Sequence, residues 1–266
     1  MNSKIKLTLM AAAVSTLLLS TTYLFPFGFS AIDEGWAAQF WLFISNTGGT
    51  TGVPLITICF CLLISIQFKG WRKRITSLTV ALFTFSVILG ALAQLNEFFI
   101  KEQLKIERPN IRYLNENKSF DSHAFYALKS KDERRVYLDK YLESKGADFI
   151  TFNNEPLHPD VLKHWLHETG YSFPSGHSVN AFLLASLMMY ILQLIFTQLA
   201  YRLFYSIPFA WATLVALSRV ILGVHSPTDV TIGAIMGSAV AYFIIKTDII
   251  DHLIKQKSLP ESSERL

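Results

Sequence analysis

Charge is scarce in this chain. Of its 266 residues only 17% are Asp, Glu, Lys or Arg, while 51% are hydrophobic, a balance too apolar for an ordinary soluble domain of this length. Between Lys6 and Lys69 no basic residue occurs at all. Cysteine is equally rare. Cys59 and Cys61 stand two apart inside an apolar run, where they can neither bridge each other nor furnish a four-ligand zinc site. They read as small buried hydrophobes and leave the redox compartment open. Internal repeats and low-complexity tracts are missing too. The net charge of +4 is no sign of a nucleic-acid partner, because a polytopic membrane protein gathers Lys and Arg in short cytoplasmic segments for topological reasons.

What the chain has in their place is a series of apolar runs. They lie at Leu7 to Phe25, Val53 to Phe68, Ile75 to Leu95, Ser178 to Leu199, Phe204 to Leu222 and Val230 to Ile245, each close to the ~20 residues that carry a helix across hydrocarbon. The expected fold is therefore all-α, with six transmembrane helices. Lys4 and Lys6 before the first run resemble the basic start of a signal peptide, but the run exceeds a usual h-region of about 7 to 15 residues, and a retained helix is expected. Lys69, Arg72, Lys73 and Arg74 place the second loop on the same side as Lys4 and Lys6, in the cytoplasm. The Pro26 to Gly52 loop is then outside, and both termini are cytoplasmic. The parity closes with Arg202 in an inner turn and Lys246, Lys255, Lys257 and Arg265 in an inner tail.

The stretch 101–170 departs from this pattern, holding about half of the charged residues. It reads as an extracytoplasmic, partly helical cap inserted into a single membrane domain spanning 1–266, since long loops translocate largely regardless of charge. Ser130 to Ser144 has the look of a surface helix, whereas Asn153, Asn154, Pro156 and Pro159 mark turns. The last dozen residues are expected to be disordered.

Three groups of residues carry chemistry. Lys101 is followed by Arg108-Pro109 at the outer end of the third span. Pro174-Ser175-Gly176-His177 opens the fourth. Ser218-Arg219, His225 and Asp229 lie around the outer end of the fifth. The topology, drawn from hydropathy and loop charge alone, puts all three on one side. Three cations, two histidines and a carboxylate at one interface describe an anion site. A phosphate monoester needs its peripheral oxygens held, an in-line nucleophile and a proton for the leaving oxygen. Lys101, Arg108 and Arg219 suit the first need, the arginines as planar forks, with the Ser175 and Gly176 amides at a helix N-terminus adding donors. His225 is the expected nucleophile, because Asp229 four residues on can hold one ring nitrogen and leave the other unprotonated. His177 is then the general acid, and Glu168 a candidate for tuning a histidine. No metal and no cofactor is called for.

More ordinary readings compete. Lys101 and Arg108 also suit a span's interfacial end, and Ser226-Pro227-Thr228-Asp229 also spells a helix start with a capping box. Ser175 lacks a Gly-x-Ser-x-Gly elbow for serine-hydrolase chemistry. Arg219 resists such a reading, since an arginine inside an apolar span needs a polar cavity or partner. His123, His158, His164 and His167 show no metal spacing and read as solvated or structural, and Tyr113, Phe125, Tyr126 and Trp165 as cap packing or interfacial anchors.

Lys-x6-Arg-Pro, Pro-Ser-Gly-His and Ser-Arg-x5-His-x3-Asp, met here at every specified position, resemble the signature of the type 2 phosphatidic acid phosphatase family. That resemblance implies metal-independent hydrolysis of membrane lipid phosphates without an obligate protein partner. Phe125 to Lys129 and His164 to Gly170 look like a bacterial branch of the family. Membership there implies an inner-membrane site facing the periplasm and a range covering phosphatidylglycerophosphate, phosphatidic acid, lysophosphatidic acid, diacylglycerol pyrophosphate and undecaprenyl pyrophosphate. A lipid phosphotransferase with the same chemistry and a lipid-sugar acceptor fits the same signature. An anion transporter fits it less well, because the charges crowd toward one face.

Overall fold

The computed structural model describes residues 2–24, 35–145, 150–152, 155–196 and 204–255. Phe25 to Glu34 of the first outer loop, the Asn153 and Asn154 turn, the end of the fourth apolar run at Leu199 and the tail beyond Lys255 lie outside the described residues. Thirteen α-helices are described: α1 Ser3–Ser20, α2 Gly35–Thr47, α3 Gly52–Ser65, α4 Trp71–Gln94, α5 Lys101–Leu104, α6 Pro109–Lys118, α7 Ser122–Ala127, α8 Lys131–Lys145, α9 Pro159–His167, α10 Gly176–Ile195, α11 Ile207–Ile221, α12 Pro227–Lys246 and α13 Ile249–Lys255. Two-residue strands, β1 Thr151–Phe152 and β2 Glu155–Pro156, pair antiparallel before α9. The fold is all-α in every larger element.

Five helical segments are long and apolar enough to cross a membrane, namely Ser3–Leu24, Trp71–Lys118, Gly176–Ile195, Phe204–Ile221 and Pro227–Lys246. A sixth crossing is available only if α2 and α3, bent by 60° at their junction, act together. The run at Val53 to Phe68 is realised mainly as α3, which counts toward that crossing together with α2. Residues 35–47 are helical, and neither α2 nor α3 reaches the ~30 Å of hydrocarbon at 1.5 Å per residue. The break is local in origin. Gly48, Gly49 and Gly52 interrupt the apolar pattern, and a Cβ on Gly52 would stand 2.3 Å from the Asn46 carbonyl oxygen. The surface agrees with a lipid setting: Leu17, Leu55, Phe83, Val87 and Phe243 are all more than half exposed, which a water-soluble surface does not tolerate in such number.

At the centre stands α10, buried along most of its length. Its tightest partner is α12, where Gly233 and Gly237 form a Gly-x-x-x-Gly stripe. A Cβ on Gly237 would lie 2.2 Å from the Val179 carbonyl oxygen, and one on Gly233 would lie 2.9 Å from that of Ser175. Close backbone approach through small residues is how helices associate where no hydrophobic force distinguishes neighbour from lipid. Its consequence is positional, since it sets the first turns of α10 and α12 side by side.

A separate apolar cluster joins the helices between α5 and α10 to the bundle. Ile111, Phe125, Leu138, Val161 and Trp165 pack with Leu222 and Val224 of the α11–α12 loop. Trp165, read from sequence as packing or an anchor, is fully buried and donates through Nε1 to the Leu222 carbonyl at 2.8 Å.

Gly237→Val forces side-chain atoms into the α10 backbone and is expected to cost about 3 kcal/mol or more. Gly90→Ala, where a Cβ meets nothing within 4 Å, is expected to stay within about 1 kcal/mol of the parent. Thermal unfolding of the two variants in detergent measures the difference.

Candidate functional site

The three sequence groups converge. Lys101 arrives on an irregular helix: Leu95–Ile100 is π-helical, and the Lys101 amide donates to the Asn96 carbonyl five residues back. Such single-turn insertions rotate the side chains that follow and gather at functional sites. Here the turn buries Lys101, whose Nζ pairs with Glu97 at 2.9 Å. Glu97 also pairs with Lys131 of α8.

Arg108 precedes Pro109, which opens α6, and its guanidinium is held on every side. Nε donates to the Gly170 carbonyl at 2.9 Å, Nη1 to the Val224 carbonyl at 3.0 Å and to His225 Nε2 at 3.2 Å, and Nη2 pairs with Glu168 at 2.9 Å.

The spacing between Arg219 and His225 has a backbone cause. Gly223 takes a positive φ of 75° that favours glycine, and the chain reverses so that the amides of Val224 and His225 both donate to the Arg219 carbonyl, at 3.2 and 3.1 Å. Two residues already linked by sequence are thereby tied in space. The Arg219 guanidinium is fully buried, donating to Ser45 Oγ of α2 at 2.5 Å, to His164 Nε2 at 3.1 Å and to Glu168. Its Nε has no partner among the described residues.

The surroundings of His225 select its tautomer. A guanidinium only donates, so Nε2, facing Arg108, must be the acceptor. The proton then sits on Nδ1, which faces Asp229 Oδ2 at 3.4 Å. Ser172 donates to the same carboxylate and lies 3.4 Å from Nδ1. Asp229 is itself fixed by the capping box of α12, accepting from the Ser226 amide at 2.7 Å while Ser226 Oγ accepts from the Asp229 amide at 3.2 Å. The helix start read from sequence and the His225 contact are one arrangement. Burial first, and then the Arg108 charge, holds His225 well below the usual imidazole range, with Asp229 opposing them.

His177 sits at the second position of α10, where Ser175 is the N-cap. Arg219, Glu168, His225 and His164 are its electrostatic neighbours. The α2–α3 junction covers it closely enough that a Cβ on Gly49 would lie 3.3 Å from its Nε2. Ser175 differs from expectation. Its amide donates to the Asp229 carbonyl at 3.1 Å and its hydroxyl accepts from the Ser178 amide at 3.4 Å, so it ties α10 to α12 and has no free amide for a ligand. Helix geometry leaves the Gly176 and His177 amides at the start of α10 without intrahelical acceptors.

Glu168 is an electrostatic neighbour of both His164 and His177. It does stand among the histidines, 3.7 Å from His164 Nε2, but its main contacts are to both arginines at once. Burial would raise its pKa, yet Arg219 and then Arg108 hold its carboxyl well below the usual carboxylate range. His164 is a buried neighbour of Arg219, brought down to about 4 by burial and then by that arginine.

Sequence reasoning did not single out Ser45, Asn96 or Ser172. Asn96 is buried in the π-helical turn, its Oδ1 unpaired among the described residues and its Nδ2 lying 3.3 Å from where a Gly176 Cβ would stand. Ser45 and Ser172 sit in no motif, and their roles come from contacts with residues more than 50 positions away. The π-helical turn is the nearest thing to a signal, and it is not readable from residue types. Among the described residues no three His, Cys, Asp or Glu side chains form a cluster able to hold a metal ion.

The family model of the PAP2 superfamily matches residues 78–248, a range that contains every residue of the three groups. The chain is 31% identical over 233 residues to phosphatidylglycerophosphatase B of Haemophilus influenzae, covering 83% of this chain and 88% of that protein. It is 28% identical over 178 residues to the protein of the same name from Escherichia coli K12, covering 64% of this chain and 63% of that one. A solved transmembrane PAP2 type phosphatidylglycerolphosphate phosphatase from Bacillus subtilis aligns over 98% of both chains at 18% identity, with a TM-score of 0.48. With the three motif groups complete, gathered at one end of a helical membrane bundle and lying inside the matched range, the chain belongs to the PAP2 superfamily.

Proposed function

We propose that this protein hydrolyses lipid phosphates through a phosphohistidine on His225. The observation that carries the reading is the geometry at His225, whose Nε2 faces the Arg108 guanidinium at 3.2 Å while Nδ1 faces Asp229 at 3.4 Å. In the first step Nε2 attacks phosphorus, the bond from phosphorus to the lipid oxygen breaks, and His177 gives that oxygen its proton. In the second, water attacks phosphorus, His177 takes the water's proton, and the phosphorus–nitrogen bond breaks to release inorganic phosphate. Asp229 and Ser172 hold the Nδ1–H side and stabilise the charge that develops on the ring. Lys101, Arg108, Arg219 and the Gly176 amide neutralise the peripheral oxygens.

The substrates proposed are phosphatidylglycerophosphate first, with phosphatidic acid, lysophosphatidic acid, diacylglycerol pyrophosphate and undecaprenyl pyrophosphate as further members of the class. The names of the relatives support the first. The proposed setting is a bacterial inner membrane with both termini cytoplasmic and the site facing the periplasm, supported by the loop charges. No metal takes part in the proposed steps.

Phosphate release from purified protein against a panel of these lipids tests the activity. His225→Ala is expected to lose turnover by more than about 10³-fold and to form no phosphoprotein. His177→Ala is expected to lose about 10² to 10⁴-fold toward alkyl phosphates and much less in the first step with a nitrophenyl phosphate, whose leaving group needs no proton. A fully active His225→Ala protein overturns the mechanism. Label moving from donor lipid to an added glycolipid, in place of free phosphate, would establish the phosphotransferase instead. Activity is expected to survive EDTA, and its loss would require a metal.

The depressed His225 makes a separate prediction. Its folded value lies below the unfolded one near 6.5, so the unfolded chain takes up the proton first. The stabilisation is full above that value and is lost as pH falls below it. Nitrogen-15 NMR of labelled histidine is expected to show His225 Nε2 unprotonated at pH 6, and an imidazolium signal there would contradict the assignment.

A further inference from the structure

Two buried arginines in this site share one anion, and that anion belongs to the protein. Glu168 Oε2 pairs with Arg108 at 2.9 Å while Oε1 pairs with Arg219. Resting on the phosphatase reading above, we propose that Glu168 is a resident stand-in for phosphate, bridging Arg108 and Arg219 before substrate binds and giving both up when the substrate's phosphate arrives.

Chemistry and geometry support the exchange. A carboxylate offers two oxygens in nearly the arrangement of two phosphate oxygens, and both fit the planar forks of paired guanidiniums. Arg108 and Arg219 come from different elements, the start of α6 and the end of α11, and both are almost wholly buried. Without an anion between them two like charges would face each other away from water. With Glu168 still in place, an entering phosphate dianion would meet a carboxylate in the same buried space. The two anions are therefore alternatives.

Two further features favour phosphate as the occupant during catalysis. Arg219 Nε is a buried donor without an acceptor among the described residues, and phosphate has more acceptor oxygens than the carboxylate it replaces. Arg108 Nη1 also touches His225 Nε2 at 3.2 Å, so an oxygen taken up by Arg108 brings phosphorus to the nucleophile. Glu168 lies just past the last residue of α9, where the backbone is no longer helical. The return of Glu168 after hydrolysis would compete with bound product and speed its release from a site with three cations.

The experiment compares inorganic phosphate binding to the full-length wild-type protein and to Glu168→Gln, read as the competitive inhibition constant and as thermal stabilisation by phosphate. Removing the competing charge is expected to tighten phosphate at least about 10-fold, while the variant without phosphate melts lower than wild type and recovers when phosphate is added. Unchanged or weaker phosphate binding in Glu168→Gln overturns the proposal. A structure of the wild-type protein with phosphate or vanadate supplies a second measurement that needs no variant: Glu168 is expected to lie beyond pairing distance of both arginines, and persistence of both pairs beside the bound anion overturns the exchange. Turnover of lipid phosphate by the wild-type protein, run alongside, reports on the phosphatase reading independently.

Discussion

A guanidinium with no exposure, set in the last turn of an apolar helix, must find acceptors inside the protein, and Arg219 does so by drawing on two separate segments. Ser45 comes from the bent α2–α3 pair, and His164 and Glu168 from α9 and its C-cap, while the Arg219 carbonyl separately collects the amides of the reversing chain at Val224 and His225. An unpaired buried charge costs several kcal/mol. Any arrangement of helices that lost these partners would be selected against on that ground alone. The end of the bundle that holds the motif residues is organised around meeting this demand.

Arg108 repeats the logic from the other side. Its contacts to Gly170, Val224, His225 and Glu168 join the segment after α5, the link into α10 and the loop before α12. Ser172 extends the same seam by donating its amide to the Ile106 carbonyl at 2.8 Å. The cap helices are thus fastened to the bundle by charge as well as by the apolar cluster around Trp165. The proposed catalytic geometry and structural integrity rest on the same contacts here, so the variants that separate them are those that change charge and keep shape.

The neutral state of His225 is a second product of this enclosure. Burial and the nearby arginine disfavour the imidazolium, Asp229 and Ser172 fix the protonated nitrogen, and the capping box that starts α12 holds Asp229 still. In the proposed mechanism, a histidine prepared in this way needs no proton removed before attack. The Gly233 and Gly237 stripe keeps α10 against α12, so the helix carrying His177 cannot drift from the loop carrying His225.

Much of this was legible in the amino-acid order. Hydropathy set five of the spans, because ~20 consecutive apolar residues have little alternative to a helix in lipid, and the three motif groups named His177, Arg219, His225 and Asp229 through spacings that local turns enforce. The second apolar run was legible at Val53 to Phe68, but its pairing with α2 across the bend at Gly48, Gly49 and Gly52 was not. Ser45, Asn96 and Ser172 were invisible, and neither the bond from the Ser175 amide to the Asp229 carbonyl nor the Glu168 bridge between the two arginines could be read from spacing. Each of these depends on atoms brought together from distant positions. Residue type and local spacing determine which groups are available, but which donor meets which acceptor is decided only when helix packing removes water and leaves every buried charge to find a partner within the protein.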